Sequence, residues 1–251
     1  MKPKDRIIVA LDVSEVQKAN SLIDELRPYV GCFKIGPVLL KPLLHQCKWE
    51  EFIEMASKMK ISLFIDEKLC HSPEVLKNSV GYYNFPPIKM FTIQASCGRD
   101  SLRAAVNQKG ITIPVNMKIL VPTVLTSMSP EESQHIYGKW PEQKVVEFAF
   151  DALETRCDGI ICSSRELGAL AKYKELDKLE RYIPGIRPDW WPMATDQKRI
   201  DTPSGAIEAG ADYLIIGRPI LNPPPEIGNS VEAVKKIIKE IETIKEVKRD
   251  A

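Results

Sequence analysis

Short runs of β-branched and other apolar residues recur along the chain. They are RIIVALD (6–12), CFKIG (32–36), ISLFIDEK (61–68), KMFTIQA (89–95), MKILVPTV (117–124), GIICS (159–163), RYIPGI (181–186) and YLIIGR (213–218). Their apolar residues are nearly continuous rather than alternating, which is the pattern of strands buried on both faces of a parallel sheet. Most of the intervening segments carry apolar residues at helical spacing, as in 15–30, 72–83, 142–156 and 203–210. After the last run, SVEAVKKIIKEIETIKEVK (230–248) spaces its Val and Ile residues three or four apart and predicts an amphipathic closing helix.

Eight strand–helix repeats in 251 residues predict an α/β fold, a closed (β/α)8 TIM barrel forming a single domain over residues 1–251. The alternative is an open doubly wound sheet. That fold calls for a glycine-rich phosphate loop after the first strand, and the chain there reads ALDVSEVQ. The Pro-rich stretches FPPIK (85–89) and NPPPEIGN (222–229) sit between elements as turns, and no shift in composition marks a second domain.

Composition narrows the classes. With 44% hydrophobic residues the chain has enough apolar side chains for a sizeable core, and a formal net charge of +1 gives no bulk attraction to nucleic acid or to an anionic membrane. The N-terminal apolar run is too short for a secretory signal, and no stretch approaches the length of a bilayer span, so the expected location is the cytoplasm. Six cysteines, at 32, 47, 70, 97, 157 and 162, lack any CxxC pair, which predicts reduced, mostly buried thiols and no structural metal.

Charges then fall where an apolar strand should simply end. Asp12 closes the first run, Lys34 lies in the second, Asp66 and Lys68 end the third, and Gly217 and Arg218 end the eighth. Side chains alternate along a strand, so Asp66 and Lys68 share one side and Glu67 takes the other. In barrels the chemistry gathers at the C-terminal strand ends, which predicts two acids and two lysines converging over the mouth. Gly217 and Arg218 stand where barrels commonly hold phosphate. Strand-end salt bridges and an exposed arginine are the structural alternative.

Taken in order, VALD (9–12), FKIG (33–36), FIDEK (64–68), VLTS (124–127), IPGIRP (183–188), DQKR (196–199) and GRPI (217–220) resemble the orotidine 5'-phosphate decarboxylase family over nearly the whole chain. The resemblance implies decarboxylation of orotidine 5'-phosphate to UMP in pyrimidine nucleotide synthesis, without metal or cofactor, by a homodimer with active sites at the subunit interface. It implies that Lys68 protonates carbon 6 of the pyrimidine and that Asp66 sits against the departing carboxylate. Lys34 would link that acid to the ribose hydroxyls, and Asp12 would accept a ribose hydrogen bond. Ser127 would contact the pyrimidine, Gln197 and Arg218 would hold the phosphate, and Pro184 and Gly217 would complete the substrate site. The loop from Arg187 to Arg199 would close over the nucleotide and be mobile when the site is empty.

One departure touches the chemistry. The family pattern is D-x-K-x-x-D-I, and here its last two positions are His71 and Ser72. The missing aspartate is the one that serves the neighbouring subunit's site. An aspartate there helps keep a lysine charged, whereas a neutral imidazole does so weakly and an imidazolium repels it. His71 is therefore a compensated substitution, a general acid or base for another reaction, or a bystander in a nucleotide-binding protein. A second departure is Gln94, where the family often has histidine; His45 and His135 are expected to be structural or exposed. Sugar-phosphate relatives share D-x-K-x-x-D but use magnesium and lack VLTS, PGIRP and DQKR. The competing function is thus a paralogue that binds a pyrimidine nucleotide or related phosphorylated substrate and performs a different reaction, or none.

Overall fold

The computed structural model describes residues 1–109, 116–192 and 199–244. Eight parallel strands close in sequence order: β1 (Ile7–Ala10), β2 (Cys32–Ile35), β3 (Leu63–Leu69), β4 (Ile88–Ile93), β5 (Lys118–Pro122), β6 (Gly159–Ile161), β7 (Glu180–Ile183) and β8 (Tyr213–Ile216). Closure is made by β1 against β8, with Ile7 opposite Leu214 and Val9 opposite Ile216. Each run singled out in the sequence overlaps one of these strands. The (β/α)8 expectation holds and the open sheet does not.

Around the strands lie α1 (Val16–Leu26), α2 (Pro37–His45), α3 (Trp49–Lys58), α4 (Pro73–Tyr83), α5 (Arg99–Lys109), α6 (Pro130–Tyr137), α7 (Pro141–Glu154), α8 (Leu167–Leu170), α9 (Pro203–Glu208), α10 (Arg218–Leu221) and α11 (Ser230–Glu242). Helical spacing explains their inner faces. In α1 the buried residues are Val16, Ala19, Leu22, Ile23 and Leu26, and in α11 they are Ser230, Ala233, Val234, Ile237 and Ile241. Among the described residues no helix is long and apolar enough to cross a membrane.

The strand alternation sorts side chains into two cores. Ile7, Val9, Phe33, Ile35, Leu63, Ile65, Phe91, Ile93, Ile119 and Val121 face outward and pack with the helices. Ile8, Ala10, Cys32, Phe64, Met90, Leu120, Ile161, Tyr182 and Ile215 face inward and fill the barrel. At the lower end Tyr182 stacks on Tyr213 with ring centres 4.5 Å apart. The same inward files continue upward, two residues at a time, into Asp12, Lys34, Asp66, Thr92, Pro184 and Gly217, so the packed interior gives way to a polar mouth.

All six cysteines are free, but only Cys32, Cys157 and Cys162 are buried; Cys97 is half-buried, and Cys47 and Cys70 are exposed. The expectation of mostly buried thiols therefore holds for half of them. Cys47 lies just past the end of α2 and Cys70 in the turn after β3, positions that no packed face covers.

Candidate active site

The charged residues predicted at the strand ends meet in one chain of contacts. Lys34 on β2 reaches Asp12 at 3.4 Å and Asp66 at 3.1 Å, and Lys68 reaches the same Asp66 oxygen, Oδ2, at 2.8 Å. Side-chain exposure is 6% for Asp66 and 9% for Lys34, against 37% for Lys68 and 50% for Asp12. The inner pair is therefore dry, while the outer two groups border the opening. Glu67 turns to the other side of β3 as the alternation requires; burial first, and then the Glu67 carboxylate, pushes the Tyr83 hydroxyl up.

The electrostatics follow from this placement. Burial would drive the Asp66 carboxyl up, but the Lys34 and Lys68 ammoniums outweigh it and hold Asp66 below the usual carboxylate range. Burial would likewise strip the proton from Lys34, and the Asp66 and Asp12 carboxylates overcome it and hold Lys34 above the usual lysine value. The result is an ionised acid fixed between two cations, with one cation, Lys68, left partly open to whatever enters.

These groups line a cavity of about 430 Å³, a size suited to a small-molecule ligand. Asp12, Lys34, Asp66, Lys68, Ser127, Pro184, Gly217 and Arg218 all contribute to its wall. Its apolar part is built by Val124, Leu125, Ile161 and Ile215. Every expected site residue within the described range thus comes to one place, apart from His71. That residue is exposed beyond the end of β3, where its carbonyl accepts a hydrogen bond from the Ser101 hydroxyl at 2.9 Å. Gln197, and with it residues 193–198 of the 187–199 loop, lies outside the described residues. Gln94 donates to the Thr123 carbonyl at 3.0 Å beside the cavity, and His45 and His135 are exposed as expected. Among the described residues no group of three or more His, Cys, Asp and Glu side chains gathers as a metal site.

Three further residues belong to this region: Thr92, not singled out from the sequence, and Arg187 and Arg199, expected from it only as the ends of the loop over the nucleotide. Thr92 contacts Asp66 and the main chain of Lys68. Arg187 is buried on the cavity wall, its Nη1 donating to the Ile186 carbonyl at 2.8 Å. Arg199 is buried in an ion pair with Glu166 and donates to the carbonyls of Val124 at 3.0 Å and Leu125 at 2.7 Å. It thereby ties the chain after β7 to the segment after β5 that carries Ser127. Thr92 was findable: it lies two residues beyond the inward-facing Met90 and so in the same file.

The profile of the Orotidine 5'-phosphate decarboxylase / HUMPS family matches residues 5–237. The chain belongs to that family. It is 32% identical over 250 residues to the orotidine 5'-phosphate decarboxylase of Syntrophomonas wolfei subsp. wolfei, covering 96% of this chain and 100% of that protein. It is 35% identical over 251 residues to the orotidine 5'-phosphate decarboxylase of Nostoc sp., covering 96% of this chain and 98% of the relative. In three dimensions it resembles the crystal structure of orotidine 5'-phosphate decarboxylase from Lactobacillus acidophilus, with a TM-score of 0.73 and 24% identity over 94% of this chain and 99% of that one. That structural likeness supports the barrel. The match to the decarboxylase family agrees with the expectation of a carboxy-lyase type of enzyme.

Proposed function

We propose that this family member decarboxylates orotidine 5'-phosphate to UMP and carbon dioxide, a step of pyrimidine nucleotide synthesis, with neither metal nor cofactor. The observation that carries the reading is the Asp12–Lys34–Asp66–Lys68 chain of ion pairs on the wall of a nucleotide-sized cavity. Asp66, kept ionised, faces the substrate carboxylate and disfavours its retention. As the bond from carbon 6 to the carboxyl carbon breaks, the electron pair stays on carbon 6 and Lys68 delivers a proton to it; carbon dioxide leaves and the lysine is left neutral until it is reprotonated from solvent. Only Lys68 of the two lysines is open enough for this task, because Lys34 is enclosed between carboxylates.

Asp12 and Lys34 hold the ribose, Ser127 and Pro184 border the pyrimidine, and Gly217, Arg218 and Gln197 hold the phosphate. Binding the phosphate far from the reacting carbon stabilises the closed, charged site, and that energy goes into the transition state rather than into ground-state affinity. A homodimer is supported by exposed apolar residues on α4, the helix that follows His71 in the chain. Val75 and Tyr82, seven residues apart on α4 and so on one face, are 44% and 60% exposed. His71 would then approach the partner's site in place of the aspartate that the family pattern carries.

That replacement favours a second reading, a paralogue that binds a pyrimidine nucleotide and performs a different reaction or none. Loss of one charge from a transition-state array costs about 3–4 kcal/mol, or roughly two to three decades in rate. Conversion of orotidine 5'-phosphate to UMP at high enzyme concentration separates the readings. Turnover by the wild type and none by Lys68→Ala supports decarboxylation. UMP binding without turnover, together with activity gained by His71→Asp, overturns it in favour of the paralogue.

A further inference from the structure

Thr92 has no part in the reaction as described, yet it joins both halves of the charged network. Strands β3 and β4 pair at Ile65 opposite Phe91 and again at Leu69 opposite Ile93, so three residues, Asp66 to Lys68, face the single residue Thr92. Such a bulge deprives main-chain groups of their ladder partners and re-aims the side chains on it. Lys68 bears the distortion, with φ at +49°, in the left-handed region that a lysine rarely adopts.

The Thr92 hydroxyl meets both needs of this bulge. It accepts the Lys68 main-chain N–H at 2.8 Å and donates its own hydrogen to Asp66 Oδ1 at 3.2 Å. The other Asp66 oxygen is already held by the two ammoniums. Thr92 is fully buried, so water does not compete for either contact. A hydroxyl is the smallest group that donates and accepts at one atom, and a valine of similar shape does neither.

We propose that Thr92 is a positioning residue: it holds the Lys68 main chain in its left-handed turn and fixes the rotation of Asp66, so that the Lys68 ammonium is aimed into the cavity. Only the kinetic consequence rests on the proposed decarboxylation; the conformational one does not.

The test compares wild type with Thr92→Val, which removes the hydroxyl, and Thr92→Ser, which keeps it. In Thr92→Val, exchange of the Lys68 amide hydrogen measured by NMR is expected to accelerate about tenfold. The kcat for orotidine 5'-phosphate is expected to fall about a hundredfold, as for a reacting group displaced by an ångström. UMP affinity stays unchanged, and Thr92→Ser restores both quantities. Unaltered Lys68 exchange in Thr92→Val overturns the proposal, as does a loss of UMP affinity in step with kcat, which marks a general structural role. Should the wild type prove inactive, the reaction reading fails while the exchange measurement still decides the positioning role. If Thr92→Val does not fold, Thr92→Cys, with bulk and only a weak donor, gives the same comparison.

Discussion

Replacing Asp66 with asparagine keeps its shape and removes one charge from between two cations, which makes it a direct test of how the site is held together. At the 3.1 Å separation of Lys34 and Asp66, and with an effective dielectric of about 20, the lost attraction is about 5 kcal/mol. Experience with buried pairs that lose one partner gives about 3–5 kcal/mol, in agreement. Asp12 compensates little, because it stands at 3.4 Å and is half exposed to water. Lys68 contributes less to the loss than its shorter contact suggests, since solvent screens it.

The variant also changes how stability depends on pH. In the wild type, Lys34 is held above its ordinary value of 10.5, so its contribution is complete below that value and is lost only as pH rises through the higher folded one. Asp66 is held below its ordinary 3.8, so its contribution is complete above that value and is lost as pH falls through the lower folded one. Between those limits neither group gives a slope. In Asp66→Asn, burial dominates Lys34 and lowers it below 10.5, the unfolded chain then binds more protons than the folded one, and stability rises with pH. Urea unfolding, followed by tryptophan fluorescence, should show the variant less stable by about 3–5 kcal/mol near pH 6. The gap should narrow toward about pH 9, by at most about 1.4 kcal/mol per pH unit. A variant as stable as the wild type near pH 6, or a gap that does not narrow, would refute the account of Lys34 as a cation held by Asp66.

Three other outcomes follow from separate parts of the molecule. Arg218→Ala should weaken UMP binding by about 1.5–3 kcal/mol, read by calorimetry, through loss of a charged phosphate contact; unchanged affinity would remove Arg218 from the phosphate site. Burial outweighs the Arg199 guanidinium and pushes the Glu166 carboxyl up to about 7, so wild-type stability should fall as pH rises from the ordinary 4.5 toward 7, by at most about 1.4 kcal/mol per pH unit, and Glu166→Gln should abolish that slope in chemical denaturation. Ser129 caps α6 by accepting the Glu132 N–H while the Glu132 carboxylate accepts the Ser129 N–H. Ser129→Ala should therefore lower stability by about 1 kcal/mol, and a thermal shift within error would show the cap to be redundant.

Several helices were harder to read than the strands, for physical reasons. In α2 a proline, Pro42, interrupts the helical pattern, and Val38 and Leu44 remain exposed, so the apolar stripe is blurred. The helix α5 has strongly polar composition, with only Ser101, Leu102 and Ala105 buried, and gives a weak periodic signal. Strands buried on both faces need apolar residues at nearly every position, and such runs stand out without any knowledge of the partners.

What the sequence determined by itself was therefore the barrel, through its runs and their alternation with helices, and the identity of the charges at the strand ends, since an acid or lysine finishing a buried strand is costly unless it has a partner. The tertiary structure alone decided which partners those are. That Asp66 lies between Lys34 and Lys68, that Thr92 faces the bulge at Lys68, and that Arg199 reaches Glu166 and the carbonyls before Ser127 are contacts between residues 2 to 75 positions apart. Local pattern records whether a side chain must be buried or paired; the register in which neighbouring strands pair decides which groups meet, as β2, β3 and β4 do when they bring Lys34, Asp66, Lys68 and Thr92 together.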